Sequence, residues 1–450
     1  MFVLKVDFAY NLFKLKEKQI KKGNSMSYIK SSLLAASAFV LIAPTAFGAG
    51  FQLKEQSASL QGLSFAGASA KADDASVMYF NPAGITRLKG KQAYGTVSLI
   101  KPSTKFDQDE SQFSAQTAPA GATHTVNDGE GGDAGSLAAV PAAYVKAELD
   151  NDVHIGFAVN TPFGLTTEYD DGWVGRYHAL KSELLTINMA PTVAWKVNEN
   201  WSFGASANIQ YAEAELTNAT ASGGGTDLFT KLKGDDIGFG FRLGALYEPT
   251  DKTRIGVAYH SGIHHELTGE VKSYSGSTVV SNIAAKAKLR TPDIASLGVY
   301  HELNDRWAVM SELAWTNWST FEYLTVQNRD TSANLSSIEE KWNDSYFMAL
   351  GAEFHPCDYP NRAWQFGIAY DKTPVEDEYR TFRIPDEDRL WLSVGYGHEW
   401  ENKSFHIGYS HIIANEADVV EDESSTAKGV VAGSFDANVN ILSANFTMKF

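Results

Sequence analysis

From about residue 91 to the last residue, apolar and polar side chains exchange at period two. Trp201, Phe203, Ala205, Ala207, Ile209 and Tyr211 alternate with Ser202, Gly204, Ser206, Asn208 and Gln210. Ile237, Phe239, Phe241, Leu243, Ala245 and Tyr247 alternate with Gly238, Gly240, Arg242 and Gly244. Trp364 to Tyr370 and Phe405 to Tyr409 repeat the theme. The chain also ends this way. Leu442, Ala444, Phe446, Met448 and Phe450 share one face, and Ser443, Asn445, Thr447 and Lys449 share the other. Successive side chains of a strand point to opposite faces, so each segment predicts a strand with one apolar and one polar face. A soluble sandwich gives this pattern. So does an outer-membrane barrel, which faces lipid on one side and a polar lumen on the other, and whose closing strand routinely stops on an aromatic residue.

The connections separate the two readings. Short polar turns are predicted at 149–152, 197–200, 249–252, 303–305, 355–361 and 401–403. Long connections are predicted at about 102–136, 164–183, 216–235, 267–285, 327–341, 373–387 and 414–436. Short and long connections alternate, which is the asymmetry of periplasmic turns and extracellular loops. Six turns and seven loops make about 14 strands with both ends periplasmic. Trp195, Trp201, Tyr247, Trp307, Trp364, Trp400 and Phe405 sit beside the short turns. Amphipathic rings favour the membrane interface, so these read as a girdle. The predicted fold class is all-β: a transmembrane antiparallel β-barrel of about 14 strands over residues 91–450.

Residues 1–48 read as a signal peptide. The apolar run Ser32–Phe47 ends at Ala46-Phe47-Gly48, a small-x-small cleavage pattern that leaves Ala49 as the first mature residue. Met26 is a possible true start, because the lysine-rich stretch before it is unlike a signal peptide. The run is short for the roughly 20 residues of a spanning anchor. Residues 49–90 do not alternate and are rich in Ala, Ser and Gly. They form either a periplasmic extension or a plug inside the barrel, because 14 strands enclose more space than side chains fill.

The formal charge is −16. Residues 1–48 hold seven lysines and two acidic residues, a net +5, so the remainder is near −21. That balance argues against a nucleic-acid partner. Acidic loops would instead face outer-membrane lipid and lipopolysaccharide through divalent cations. The single Cys357 forms no internal disulfide. His264-His265-Glu266 lacks the second histidine of a zinc helix. Gly62-Leu63-Ser64-Phe65-Ala66 lacks the closing glycine of a nucleophile elbow. No enzyme, cofactor or metal is expected.

Ala49-Gly50-Phe51-Gln52-Leu53, Ala72-Asp73-Asp74-Ala75 and Asn81-Pro82-Ala83 occur in the first segment. Pro162-Phe163-Gly164-Leu165 and Trp173-Val174-Gly175-Arg176-Tyr177-His178 follow. Leu289 to Asp293, Trp315 to Ser319 and Ile384 to Arg389 complete an ordered set. In these motifs the chain resembles the FadL family of outer-membrane long-chain fatty acid transporters, which also holds OmpP1 and aromatic-hydrocarbon transporters. The resemblance implies a monomeric 14-stranded barrel with residues 49–90 as an N-terminal hatch in the lumen. It implies passive uptake of long-chain fatty acids or similar hydrophobic compounds. Loops capture the ligand, the hatch rearranges, and the ligand leaves sideways at a kinked third strand. Phe51 would reach into the ligand pocket. Asn81, Pro82 and Ala83 would face the kink, and Gly164 would lie in it. Family members place basic residues near the ligand carboxylate, but the corresponding stretches here read Ala214-Glu215-Leu216-Thr217 and Tyr323-Leu324-Thr325-Val326. Arg176 and Lys181 are the candidate head-group partners. The departure leaves room for monoaromatic or other neutral hydrophobic ligands.

Overall fold

The computed structural model describes residues 49–112, 129–150, 152–221, 227–423 and 428–450. The expected signal peptide, residues 1–48, lies outside the described residues, as do residues 113–128 of the connection expected at 102–136.

Twenty strand segments form one antiparallel sheet. They are β1 (Lys91–Gln108), β2 (Ala138–Glu148), β3 (Val153–Asn160), β4 (Gly164–Glu168), β5 (Lys181–Lys196), β6 (Trp201–Thr220) and β7 (Leu228–Thr250). Then come β8 (Thr253–His260), β9 (His264–Ser275), β10 (Thr278–Arg290), β11 (Ile294–Asn304), β12 (Trp307–Thr316) and β13 (Tyr323–Asn328). The last seven are β14 (Asn334–Glu339), β15 (Ser345–Phe354), β16 (Arg362–Asp371), β17 (Arg389–Glu399), β18 (Lys403–Ala414), β19 (Ala417–Glu423) and β20 (Gly429–Lys449). Six strands are interrupted, so the twenty segments make fourteen walls of a closed barrel. Closure is between the first and last strands, in register from Gln92↔Lys449 to Gln108↔Gly433.

The burial pattern is that of a protein in lipid. Ser443, Asn445 and Thr447 are buried, whereas Leu442, Phe446 and Met448 are each at least 40 % exposed. Phe239, Phe241, Leu243, Leu350 and Phe366 are exposed too, while Ser206, Asn208 and Gln210 are buried. Apolar residues out and polar residues in is the inverse of a soluble sandwich and matches a barrel wall. At the turn end Trp195, Trp201, Trp307, Trp364 and Trp400 are exposed, and Trp201 stacks on Tyr247 at 4.5 Å.

All six predicted turns join strands. The expected long connections differ. Residues 216–235 and 267–285 are mostly strand, because the pairing continues to Thr220↔Leu228 and Thr278↔Ser275. Gly276, at φ +56°, closes the second of these hairpins within two residues. A span needs roughly 9–11 residues, and β7 has 23, so these strands run past the membrane and build the loop end from sheet.

Residues 49–88 are almost wholly buried. They contain two one-turn helices, α1 (Ala58–Gln61) and α2 (Val77–Phe80), and a 3₁₀ helix, Pro82–Arg87. Their polar groups bond to inward side chains around the wall. Gln61 Nε2 donates to Ser410 at 2.6 Å, Ser64 to Ser393 at 2.6 Å, and Thr86 to Ser202 at 2.8 Å. Close approach is made possible by inward glycines. A Cβ at Gly204, Gly244 or Gly256 would collide with Pro82–Ala83, Asn81 or Ser69. One at Gly367 or Gly395 would collide with Leu63 or Gly62.

Candidate functional site

The first interruption shapes the site. The ladder between β2 and β3 runs from Glu148↔His154 to Ala143↔Val159 and stops there. Residues Ala138–Ala142 stay paired to β1 but have no partner in the third strand. Pro162 brings no N–H to a ladder, and the backbone turns inward. Leu53 N–H donates to Pro162 O at 2.8 Å, and Gly164 N–H donates to Phe51 O at 2.9 Å. The Gln56 amide takes both polar groups of Thr161, accepting from its N–H at 3.2 Å and donating to its carbonyl at 2.7 Å. The wall thus has a step between its second and third strands, and the N-terminal segment satisfies the backbone groups there.

Phe51 carries this contact into an apolar cluster. Its ring lies 4.5 Å from Trp318, 5.7 Å from Trp342, 5.9 Å from Phe321 and 6.1 Å from Phe163. Leu165, Leu184, Leu267, Leu289 and Ile384 are among its other members, with Ala214 and Leu324 packed against it. Two buried polar atoms beside these rings, Trp318 Nε1 and Glu340 Oε1, have no hydrogen-bond partner among the described residues. Trp342 Nε1 donates to the other oxygen of Glu340 at 3.0 Å. On the far side Gly50 N–H donates to Asp386 at 2.9 Å, and Arg389 lies 3.1 Å from the same carboxylate.

Burial pushes Glu340, in the connection between β14 and β15, up to about 8. It is therefore protonated at neutral pH. A carboxyl raised by folding contributes stability that is full below its unfolded value and is lost as pH rises through about 8. The indole fluorescence melt of the wild type should fall in temperature as pH rises from about 4.5 to about 8 and level off above that. Glu340→Gln, which mimics the protonated form, should melt like wild type at about pH 4, below the unfolded value, and lose that decline. A Gln variant with the same decline would remove Glu340 as its cause.

The expected residues do not all converge. Phe51 and Gly164 meet at the step. Asn81, Pro82 and Ala83 face the opposite glycines instead, with Asn81 Nδ2 donating to Ser69 O at 2.8 Å and Ala245 O at 2.9 Å. What meets the step is Phe51, Gln52, Leu53 and Gln56. Arg176 pairs with Asp227 at 3.2 Å, and Lys181 pairs with Glu183 at 2.6 Å. Each already has a carboxylate. The sequence reading missed Trp342, Phe321 and the ring of Trp318 as partners of Phe51. The tryptophan-rich stretch Trp315–Ser319 was the available signal. A separate cavity of about 600 Å³ opens at the loop end. Its walls include Leu216, Val271, Leu324, Val326, Arg383 and Glu421.

The profile of a family described as outer membrane protein transport protein (OMPP1/FadL/TodX) matches residues 39–450. The long-chain fatty acid transport protein of Escherichia coli O6:H1 (strain CFT073) is 29% identical over 439 residues, 89% of this chain and 94% of that protein. Outer membrane protein P1 of Haemophilus influenzae is 27% identical over 471 residues, 94% of this chain and all of that protein. A crystal structure of a Pseudomonas aeruginosa FadL homologue superposes with a TM-score of 0.81 at 24% identity, covering 89% of this chain and 100% of that one. The Pseudomonas putida toluene transporter TodX superposes at 0.64 with 15% identity, covering 90% and 99%.

Proposed function

We propose, from the premise that this chain belongs to the OMPP1/FadL/TodX family of outer-membrane transport proteins, that it takes up long-chain fatty acids or similar hydrophobic compounds by passive diffusion. The observation that carries the reading is the junction of Phe51 with the interrupted third strand. One short segment both lines an apolar cluster and seals the step in the wall between β2 and the third strand. Moving residues 51–56 would uncover cluster and step together. A ligand would then pass from the cluster sideways into lipid without crossing the polar lumen. Residues 49–90 act as the hatch, and the protein works as a monomer with lipopolysaccharide and lipid around its wall. Binding rests on burial of apolar surface, about 0.8 kcal/mol per CH₂, and flux follows the gradient.

A second reading is favoured by the positions of Arg176 and Lys181. Both are paired to acids, and Ala214 and Leu324 stand where the resemblance placed basic stretches. The polar atoms left beside the cluster are an indole N–H and a carboxyl that is neutral below about pH 8. These suit a neutral hydrophobic ligand, including a monoaromatic, better than a carboxylate.

Uptake of labelled oleate and of toluene, by cells lacking their own transporter and carrying this protein, tests both. Oleate uptake above the vector control supports the first reading. Toluene uptake without oleate replaces it with the second. Neither, with folded protein in the outer membrane, rejects both.

A further inference from the structure

The loop-end cavity carries a cluster that uptake of an apolar ligand does not use. His178 lies in the connection between β4 and β5, and Glu421 and Glu423 lie on β19. One donor atom from each lies within 4.8 Å of the other two. All three line the cavity. Glu421 is held in place: Phe382 N–H donates to its Oε1 at 2.7 Å, and its Oε2 lies 2.7 Å from His178 Nδ1. Glu423 meets the Lys428 ammonium at 2.6 Å, so a cation already sits against this carboxylate.

Two further observations point to a ligand. The His178 ring is buried, the residue being 3 % exposed, and its Nε2 has no hydrogen-bond partner among the described residues. A buried nitrogen without a partner costs about 1–3 kcal/mol, which a metal bound at Nε2 would relieve while Nδ1 keeps its bond to Glu421. The cavity lining also carries five carboxylates against three arginine or lysine side chains, a field that attracts cations rather than a fatty acid head group.

We propose that His178, Glu421 and Glu423 form a binding site for a divalent transition-metal cation of the zinc class at the mouth of this cavity. One imidazole with carboxylates suits such an ion, whereas calcium takes oxygen ligands alone. Binding exchanges a divalent ion for the Lys428 ammonium on Glu423. It ties the connection after the third strand to the extension of the thirteenth, and so fixes the width of the cavity mouth.

The test is calorimetric titration of the purified full-length protein in detergent micelles with zinc chloride, and separately with calcium chloride. Barrel folding is checked by heat-modifiable gel mobility. The expected result is one saturable zinc site, calcium at least about tenfold weaker, and zinc affinity lowered at least about tenfold in both His178→Asn and Glu423→Gln, a loss of ~1.4 kcal/mol. No saturable zinc overturns the proposal. So does zinc affinity unchanged in both variants, or calcium binding equal to zinc. If His178→Asn does not fold, Glu423→Gln at the half-exposed rim decides alone.

Discussion

Gly244→Val is expected to turn a closed barrel into a leaky one. Gly244 faces inward from the turn-side half of β7, and a Cβ there would collide with the Asn81 side chain and Pro82. Asn81 cannot yield cheaply. Its Nδ2 donates to Ser69 O and Ala245 O, and its Oδ1 accepts from Ala83 N–H at 3.1 Å. Overpacking costs about 1–3 kcal/mol, and each buried group left unpaired costs about 1–3 kcal/mol more. The wall has less reason to give way, because β6 and β7 are paired over twenty positions from Trp201↔Tyr247 to Thr220↔Leu228, and valine is a good strand residue. The N-terminal segment therefore moves and the barrel stays. Single-molecule conductance in planar bilayers should rise several-fold over wild type, and cells should become sensitive to large hydrophilic antibiotics. Gly95→Val is the control, since a Cβ at Gly95 meets nothing within 4 Å. A folded Gly244→Val protein with wild-type conductance would show that residues 49–90 do not stopper the lumen.

Phe51→Ala is expected to cost uptake without costing the fold. The ring is surrounded by Trp318, Trp342, Phe321 and Phe163. Removing it forfeits about 3–5 kcal/mol of local packing. Alanine keeps the carbonyl that accepts from Gly164 N–H and leaves Leu53 N–H on Pro162 O, so the backbone seal survives. Barrel closure through β1 and β20 is untouched. The variant thus separates the ring from the main chain. Uptake and equilibrium binding of whichever ligand the cells accept should fall at least about tenfold, equivalent to ~1.4 kcal/mol, with unchanged heat-modifiability. Wild-type uptake and binding in Phe51→Ala would remove the ring from the pathway and leave only its backbone in the seal.

Other family-level expectations fell on residues whose contacts in the structure lie elsewhere. Asn81-Pro82-Ala83 belongs to the N-terminal segment as expected, yet it packs on Gly204, Gly244 and Gly256 rather than on the break in the third strand. Those glycines stood in the sequence as small residues on the polar face of β6, β7 and β8. Their purpose is invisible there, because a small residue facing a lumen reads the same whether the space beyond holds water or another backbone. Arg176 and Lys181 were plausible cations by type and place, but Asp227 and Glu183 neutralise them. Asp227 is fifty-one positions from Arg176, and no local pattern announces that pairing.

The chain's own alternation determined the barrel. Each strand reports which of its faces meets lipid, since the period of two is a local property, and the six short turns count the strands in pairs. The membrane imposes the same rule on every segment, so the rule is legible without knowing which segments are neighbours. Two other things were decided only in three dimensions. Strands expected to end near residues 216 and 267 run on because each finds a partner strand beyond the membrane. The candidate site assembles Phe51, Phe163, Trp318 and Trp342 from four separate stretches. Contacts between residues hundreds of positions apart depend on how the closed wall brings its inner faces to one lumen, and a periodicity that specifies only inside and outside carries no information on which inside meets which.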